Sequence, residues 1–358
     1  MLPVKKIGDL KEAIKIAIQK SIPFYAYHSP NADEFCFGAQ ITPLTPYKEG
    51  EEGFIIAPFN KKDLPLLFIK DEINISCSYF LQKLYDAANN PCHNIKSNIE
   101  TSYEDYCRGA QELITDMKCG RYEKAVLSRV INYKADALTK APVWFTDLSA
   151  RYPEAFTFIV SVPGITVWMG ATPELLLKND GERLHTMALA ATRFTGDQRP
   201  WSAKEETEQK IVTDYIKAQF IKVGITPEIS QRTELLAGTI EHLCNNITAI
   251  DADPEQIKNL LSLMHPTPAV GGVPLIKAMA AIKKAENRSR RYYAGYLGYV
   301  KKNDIFSLFV NLRSMELFSN MVQLYVGGGL TAASEVASEW RETEYKAQIL
   351  FDCIKEDE

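Results

Sequence analysis

The 358-residue chain is 46% hydrophobic and 24% charged, an ordinary globular composition, long enough for one large domain or two ordinary ones. Its net charge of −4 argues against nucleic acid or an anionic membrane surface as the main partner and leaves a small molecule as the default ligand. The 7 cysteines, at 36, 77, 92, 107, 119, 244 and 353, form no C-x-x-C pair, and no run reaches the ~18 apolar residues of a membrane span, so an unprocessed cytoplasmic protein without disulfides or zinc is expected.

Met1–Lys6 leads into a mixed amphipathic segment. The first ninety residues then hold short apolar runs, Phe24–Tyr27, Phe35–Phe37 and Gly53–Ala57, separated by Asn, Asp, Gly and Pro, which is a strand-and-turn pattern. A helix is predicted from an N-cap at Thr101 or Ser102 to Gly120, and Ala125–Val130 reads as a strand. Strands are predicted at 155–161 and 165–170, and Leu175–Gly181 as a strand entering a hairpin turn. A long amphipathic helix spans 202–223, with Ile211, Tyr215, Ile216 and Phe220 on its apolar side.

Helical stretches at 254–264 and 275–286 precede a three-strand meander at 293–300, 305–313 and 321–327, then a glycine turn at Gly327–Gly329 and a terminal helix. Runs of strands with helices between the runs predict an α+β fold with antiparallel sheet. With no long linker, low-complexity tract or repeat, one domain over 1–358 is expected, with 1–95 as a variable part and 100–354 as the core.

G-x-x-x-x-G-K-[ST], G-x-S-x-G and H-E-x-x-H are absent, and no strand-borne G-x-G-x-x-G opens a helix. Nucleotide, serine-hydrolase and zinc chemistry lose their usual signals. Two Glu-x-x-Glu pairs stand out instead, Glu205/Glu208 near the start of the long helix and Glu339/Glu342 in the terminal one, where Lys346 shares their face. Four carboxylates brought together would repel one another, and a hard cation such as Mg²⁺ would compensate them. Two unrelated solvated helix starts are the alternative reading of the same residues.

In order along the chain stand Lys124–Arg129, Gly170–Leu176, Leu189–Arg193, Lys204–Glu208, His242, His265–Ala269 with Gly272–Pro274, Tyr293–Tyr299, Asn311–Arg313, Gly327–Gly329 and Glu339–Lys346. With these segments the sequence resembles the chorismate-utilising enzymes, specifically the isochorismate synthases, from about residue 100 to 354; residues 1–95 match only loosely. The resemblance implies two antiparallel β-sheets packed face to face with helices on the outside, an active site in a cleft between them, and a monomer. It also implies Mg²⁺ and chorismate, a cyclohexadiene with two carboxylates.

Residue by residue, Glu208 and Glu342 match the direct metal ligands, with Glu205 and Glu339 reaching metal-bound water. Arg313, Lys346, Tyr293 and the backbone N–H groups of Gly327 and Gly329 match the site of the second carboxylate. Lys124 matches the base that activates water in relatives making isochorismate or salicylate, where ammonia-using relatives carry glutamine; it needs a lowered pKa for this. Glu174 matches the acid that protonates the departing 4-hydroxyl, and needs a raised one.

The implied reaction is isomerisation of chorismate to isochorismate, with menaquinone synthesis as the expected pathway and siderophore synthesis as the other. Salicylate synthase and a non-catalytic chorismate-binding relative are the alternatives. Ala269 resembles the isochorismate type, and Ala190 stands where amine-forming relatives place a lysine nucleophile. Two departures from the pattern occur. Leu243–Asn245 after His242 is unusual, and Ala191, before Thr192, replaces a glycine, so a methyl group sits where a backbone amide approaches substrate; a negative φ there would be compatible with it. His242 also reads as a core histidine.

Overall fold

The computed structural model describes residues 7–90, 97, 99–238 and 240–354; Met1–Lys6, Cys92 and its neighbours in 91–96, Asn98, Thr239 and the last four residues lie outside the described residues. The chain opens with α1 (Ile7–Gln19), β1 (Phe24–His28), β2 (Phe35–Ala39), β3 (Gly53–Ala57), β4 (Leu67–Lys70), β5 (Ile73–Asn74) and α2 (Phe80–Asp86). It continues with α3 (Tyr103–Lys118), β6 (Lys124–Lys134), α4 (Ala137–Arg151), β7 (Phe156–Val162), β8 (Thr166–Thr172), β9 (Leu175–Asn179), β10 (Arg183–Phe194) and α5 (Ala203–Lys222). Then come β11 (Glu228–Ile229), β12 (Thr233–Ala237), β13 (Ile240–Ile250), α6 (Pro254–Met264), β14 (Gly272–Val273) and α7 (Leu275–Glu286). The last elements are β15 (Tyr296–Val300), β16 (Phe306–Val310), β17 (Ser314–Leu317), β18 (Met321–Thr331) and α8 (Val336–Ile354).

The strands form two sheets, with every described pairing antiparallel. One runs β14-β6-β18-β17-β8-β7-β1-β2-β5, the other β11-β13-β10-β9-β16-β15-β3-β4 with β12 also on β13. The sheets pack face to face over a shared core. Period-two alternation sends Tyr25 and Tyr27 of β1 to the inter-sheet core and Phe24 and Ala26 to the opposite face. Phe156 of the first sheet stacks on Phe309 of the second, centroids 4.1 Å apart. On its outer face the first sheet is covered by apolar residues of α1, α4 and α8, while α5 and α6 add Val212, Ile216, Phe220 and Leu260 to the inter-sheet core. No helix among the described residues is long and apolar enough to cross a membrane.

Helix starts follow their caps. The Ser102 side chain accepts from the Asp105 N–H at α3, and Ser202 with Glu205 forms a capping box at α5. Three helices differ from expectation, and one of them, α2, lies in the stretch read as strands and turns. α1 arises in the amphipathic segment, burying Leu10, Ala13, Ile14 and Ala17 at helical spacing, and α4 forms despite Pro142 in its interior.

The expected meander is split. β15 and β16 belong to the second sheet, β17 and β18 to the first, and the segment expected as one strand at 305–313 crosses between them. Arg313, with φ 46, turns the chain out of β16, and Asn311 Nδ2 donates to the Tyr292 carbonyl at 2.8 Å to hold the corner. The predicted glycine turn is also absent, because Gly327–Gly329 continue β18 along β6 to Thr331. Missing side chains had read as a turn, but a long, paired partner strand keeps the backbone extended.

Candidate active site

The chain passes between sheets twice at one corner. Pro173–Glu174 links β8 to β9, and Asn311–Arg313 links β16 to β17. The two crossings are tied together: the Val310 N–H donates to the Glu174 carbonyl at 2.9 Å, the Ala171 N–H to the Arg313 carbonyl at 3.1 Å, and Thr172 Oγ1 to the Val310 carbonyl at 2.7 Å. A cleft with ≈ 790 Å³ of empty space opens here. Every residue predicted for the site lines it except Glu205 and Glu339.

Glu174 is 5% exposed, and burial pushes its carboxyl up to about 7 against the opposing pull of Lys124, Arg313 and Lys346. Lys124, the first residue of β6, is 1% exposed, and its Nζ lies 3.0 Å from Glu208 Oε1 of α5. Lys346 Nζ donates to Glu342 Oε1 at 2.6 Å and to the Gly327 carbonyl at 3.0 Å. Tyr293 stacks on Tyr325, and burial raises its hydroxyl pKa, so it enters the cleft as a neutral donor.

The glycine strand presents its backbone to this cleft for a reason of register. The Val126 N–H donates to the Gly271 carbonyl and the Ser128 N–H to Glu286 Oε1, both away from β18. Val126 pairs with Gly329 and Ser128 with Gly327, so both are non-hydrogen-bonded pairs. Gly327 and Gly329 therefore turn their N–H and C=O groups away from β6, along an edge that β17, ending at its pairing with Val322–Tyr325, does not reach.

The carboxylate pairs converge on the same strand. A methyl group on Gly329 would overlap Glu208 Oε1, and one on Gly328 would lie 3.4 Å from Glu342 Oε1 and 3.6 Å from Glu339 Oε2. Glu339 is 2% exposed; its Oε1 accepts from Lys204 Nζ at 2.8 Å, while its Oε2 is buried with no hydrogen-bond partner, and burial beside Glu342 raises its pKa. Glu205 is occupied elsewhere, its Oε2 accepting the Ser202 N–H at 2.7 Å within the capping box. Among the described residues no three acidic, histidine or cysteine side chains stand close enough to hold a metal ion by themselves. The hard oxygen donors of Glu208, Glu339 and Glu342, gathered on side-chain-free glycines with one oxygen orphaned, still match the chemistry of Mg²⁺.

Ala191 has φ 62, so the methyl group sits on a left-handed residue and the compatible negative φ is not adopted. The cause is a bulge, where the β10–β13 register slips so that Ala191 and Thr192 together face His242. Left-handed alanine costs about 1–2 kcal/mol, and glycine gives back roughly 0.5–1 kcal/mol through its freer unfolded chain. Ala191→Gly is thus expected to stabilise by up to about 1 kcal/mol in urea unfolding; a loss of that size would remove the strain argument.

Gly328 and Arg290 also line the cleft and escaped sequence reasoning. The middle glycine was legible as the third of a run. Arg290 is a brace whose Nη1 and Nη2 donate to the Val270 and Val126 carbonyls while Glu286 holds its Nε, and nothing in the local sequence marks that.

The family model described as "Chorismate binding enzyme" matches residues 59–355. The chain is 30% identical to isochorismate synthase EntC of Escherichia coli (strain K12) over 243 residues, 65% of this chain and 62% of that protein. It is 31% identical to isochorismate synthase MenF of Pasteurella multocida (strain Pm70) over 273 residues, 71% of this chain and 62% of that one. The matches thus span less than two thirds of those relatives' length. In fold it is similar to MenF, the menaquinone-specific isochorismate synthase from Escherichia coli, with TM-score 0.82 and 18% identity over 99% of this chain and 93% of the other. The family model's match to residues 59–355, most of the chain, places the protein in the family of chorismate-binding enzymes.

Proposed function

We propose that the protein is an isochorismate synthase, an isomerase acting on chorismate. The observation that supports this most is the pairing, in one cleft, of a buried lysine at the position of the water-activating base with a buried carboxyl whose pKa of about 7 suits a general acid. The likeness to proteins named isochorismate synthase points the same way.

In this reading the pyruvyl carboxylate meets Arg313, Lys346, the Tyr293 hydroxyl and the Gly327 and Gly329 N–H groups. The ring carboxylate lies towards the Glu208 and Glu342 end. Lys124 takes a proton from water, whose oxygen bonds to C2. The ring double bonds shift, the C4–O bond breaks, and the departing oxygen takes the proton of Glu174. Glu208 and Glu342 would hold Mg²⁺ directly, with Glu339 on its waters and Glu205 kept in its capping box, and the ion, when bound, would supply charge neutralisation at the ring carboxylate. We assign the product to menaquinone synthesis, in line with the likeness to MenF.

Incubating the protein with chorismate and Mg²⁺ in ammonia-free buffer, with chromatographic analysis, tests this. Isochorismate without pyruvate is expected, and chelation by EDTA is expected to lower the rate at least ~100-fold. Pyruvate release would assign a salicylate former instead, and no product would leave an amine former, which needs ammonia, or a binding protein.

A further inference from the structure

Arg313 is 9% exposed, and its Nη2 lies 2.6 Å from His242 Nε2. A guanidinium has only donors, so this contact requires a lone pair on Nε2. Across the ring, Nδ1 lies 2.7 Å from the Ala191 carbonyl oxygen, which can only accept, and 3.3 Å from Thr192 Oγ1. These partners admit one form of the ring, neutral with the proton on Nδ1. Burial and the charges of Arg313 and Lys346 act in the same direction, keeping its pKa well below the usual histidine range.

The Ala191 carbonyl reaches the ring because the bulge places Ala191 and Thr192 opposite His242 and the left-handed turn redirects the backbone. The other arginine of the cleft shows a contrasting arrangement. Arg290 is held by the Glu286 carboxylate, which cancels its charge, and its remaining contacts serve backbone carbonyls. Histidine aims a cation without adding negative charge beside it.

We infer that His242 is a positioning residue: held by the Ala191 carbonyl as the Nδ1–H tautomer, it orients the Arg313 guanidinium towards a substrate carboxylate. This rests on the proposed reading of the cleft as a chorismate site. Substrate contact stays with Arg313.

The tautomer is read by ¹⁵N NMR of wild-type protein without substrate. A protonated Nδ1 and unprotonated Nε2 at neutral pH are expected; an Nε2–H signal or an imidazolium overturns the inference. Kinetics then measure the coupling. His242→Leu is expected to raise KM for chorismate about 10- to 100-fold with kcat changed only a few-fold, the size of one hydrogen bond to a charged group. In an Arg313→Met background the same substitution is expected to add less than about threefold, and His242→Gln, with a neutral acceptor of similar reach, to recover most of the loss. Additive effects of the two substitutions would overturn the coupling. Failure of the wild-type protein to convert chorismate would overturn the function proposal, and the NMR result would still decide this one.

Discussion

Replacing Lys124 with alanine is expected to lower kcat by about 10³-fold, roughly 4 kcal/mol of barrier, while chorismate binding stays within a few-fold. The separation follows from position. Lys124 lies at the start of β6 beside Glu208, whereas the cations assigned to the second carboxylate, Arg313 and Lys346, come from the β16–β17 crossing and from α8. The substitution has a second consequence that the ion pair makes visible. Glu208, whose side chain is 12% exposed, loses its counter-charge, so the variant is expected to melt at lower temperature in chelator and to recover more of its midpoint with added Mg²⁺ than the wild type gains. Wild-type kcat in the variant would remove Lys124 as the base. A midpoint insensitive to Mg²⁺ in both proteins would remove the carboxylates as its site.

Glu174→Gln is the second large effect, with turnover expected to fall by about 10²- to 10⁴-fold. Here pH gives an independent handle. An acid must be protonated to donate, so for wild-type protein kcat/KM is expected to fall with rising pH through about 7 on account of Glu174. The stability consequence has a defined sign. The folded pKa of about 7 lies above the 4.5 of an ordinary glutamate, so the folded protein binds a proton that the unfolded chain has released. This contribution is fully present below about 4.5, is lost as pH rises towards 7, and costs on the order of 3 kcal/mol above that. Glutamine cannot ionise. The variant is therefore expected to be inactive yet more stable than wild type at pH 8, with the difference shrinking towards pH 5 in urea unfolding. A variant equally destabilised at both pH values would show that burial does not disfavour the ionised carboxylate.

What could be read from the sequence alone was local and chemical. Serine caps and apolar spacing marked α3 and α5 within a few residues, β-branched and aromatic runs marked β1, β3, β7 and β8, and ordered motifs identified the residues that the cleft brings together. Such signals depend on neighbours within a turn or a strand. The reading failed where the deciding partner was distant. A Gly-Gly-Gly run looks like a turn until eleven residues of β6 pair beside it, and Tyr293–Gly327 looks like one meander until Arg313 turns the chain from one sheet into the other. Glu205 looked equivalent to Glu208, yet at the third position of its helix it satisfies the Ser202 N–H.

The residue types of the site were thus set by the sequence, and their states by the tertiary structure. That Glu174 is an acid near neutrality, that His242 is a neutral Nδ1–H ring, and that the backbone of Gly327 and Gly329 faces the cleft all depend on burial, on partners up to 71 positions away, or on which edge of a ladder is left open. Desolvation and hydrogen-bond direction are properties of an environment, and that environment exists only once the two sheets have closed on each other.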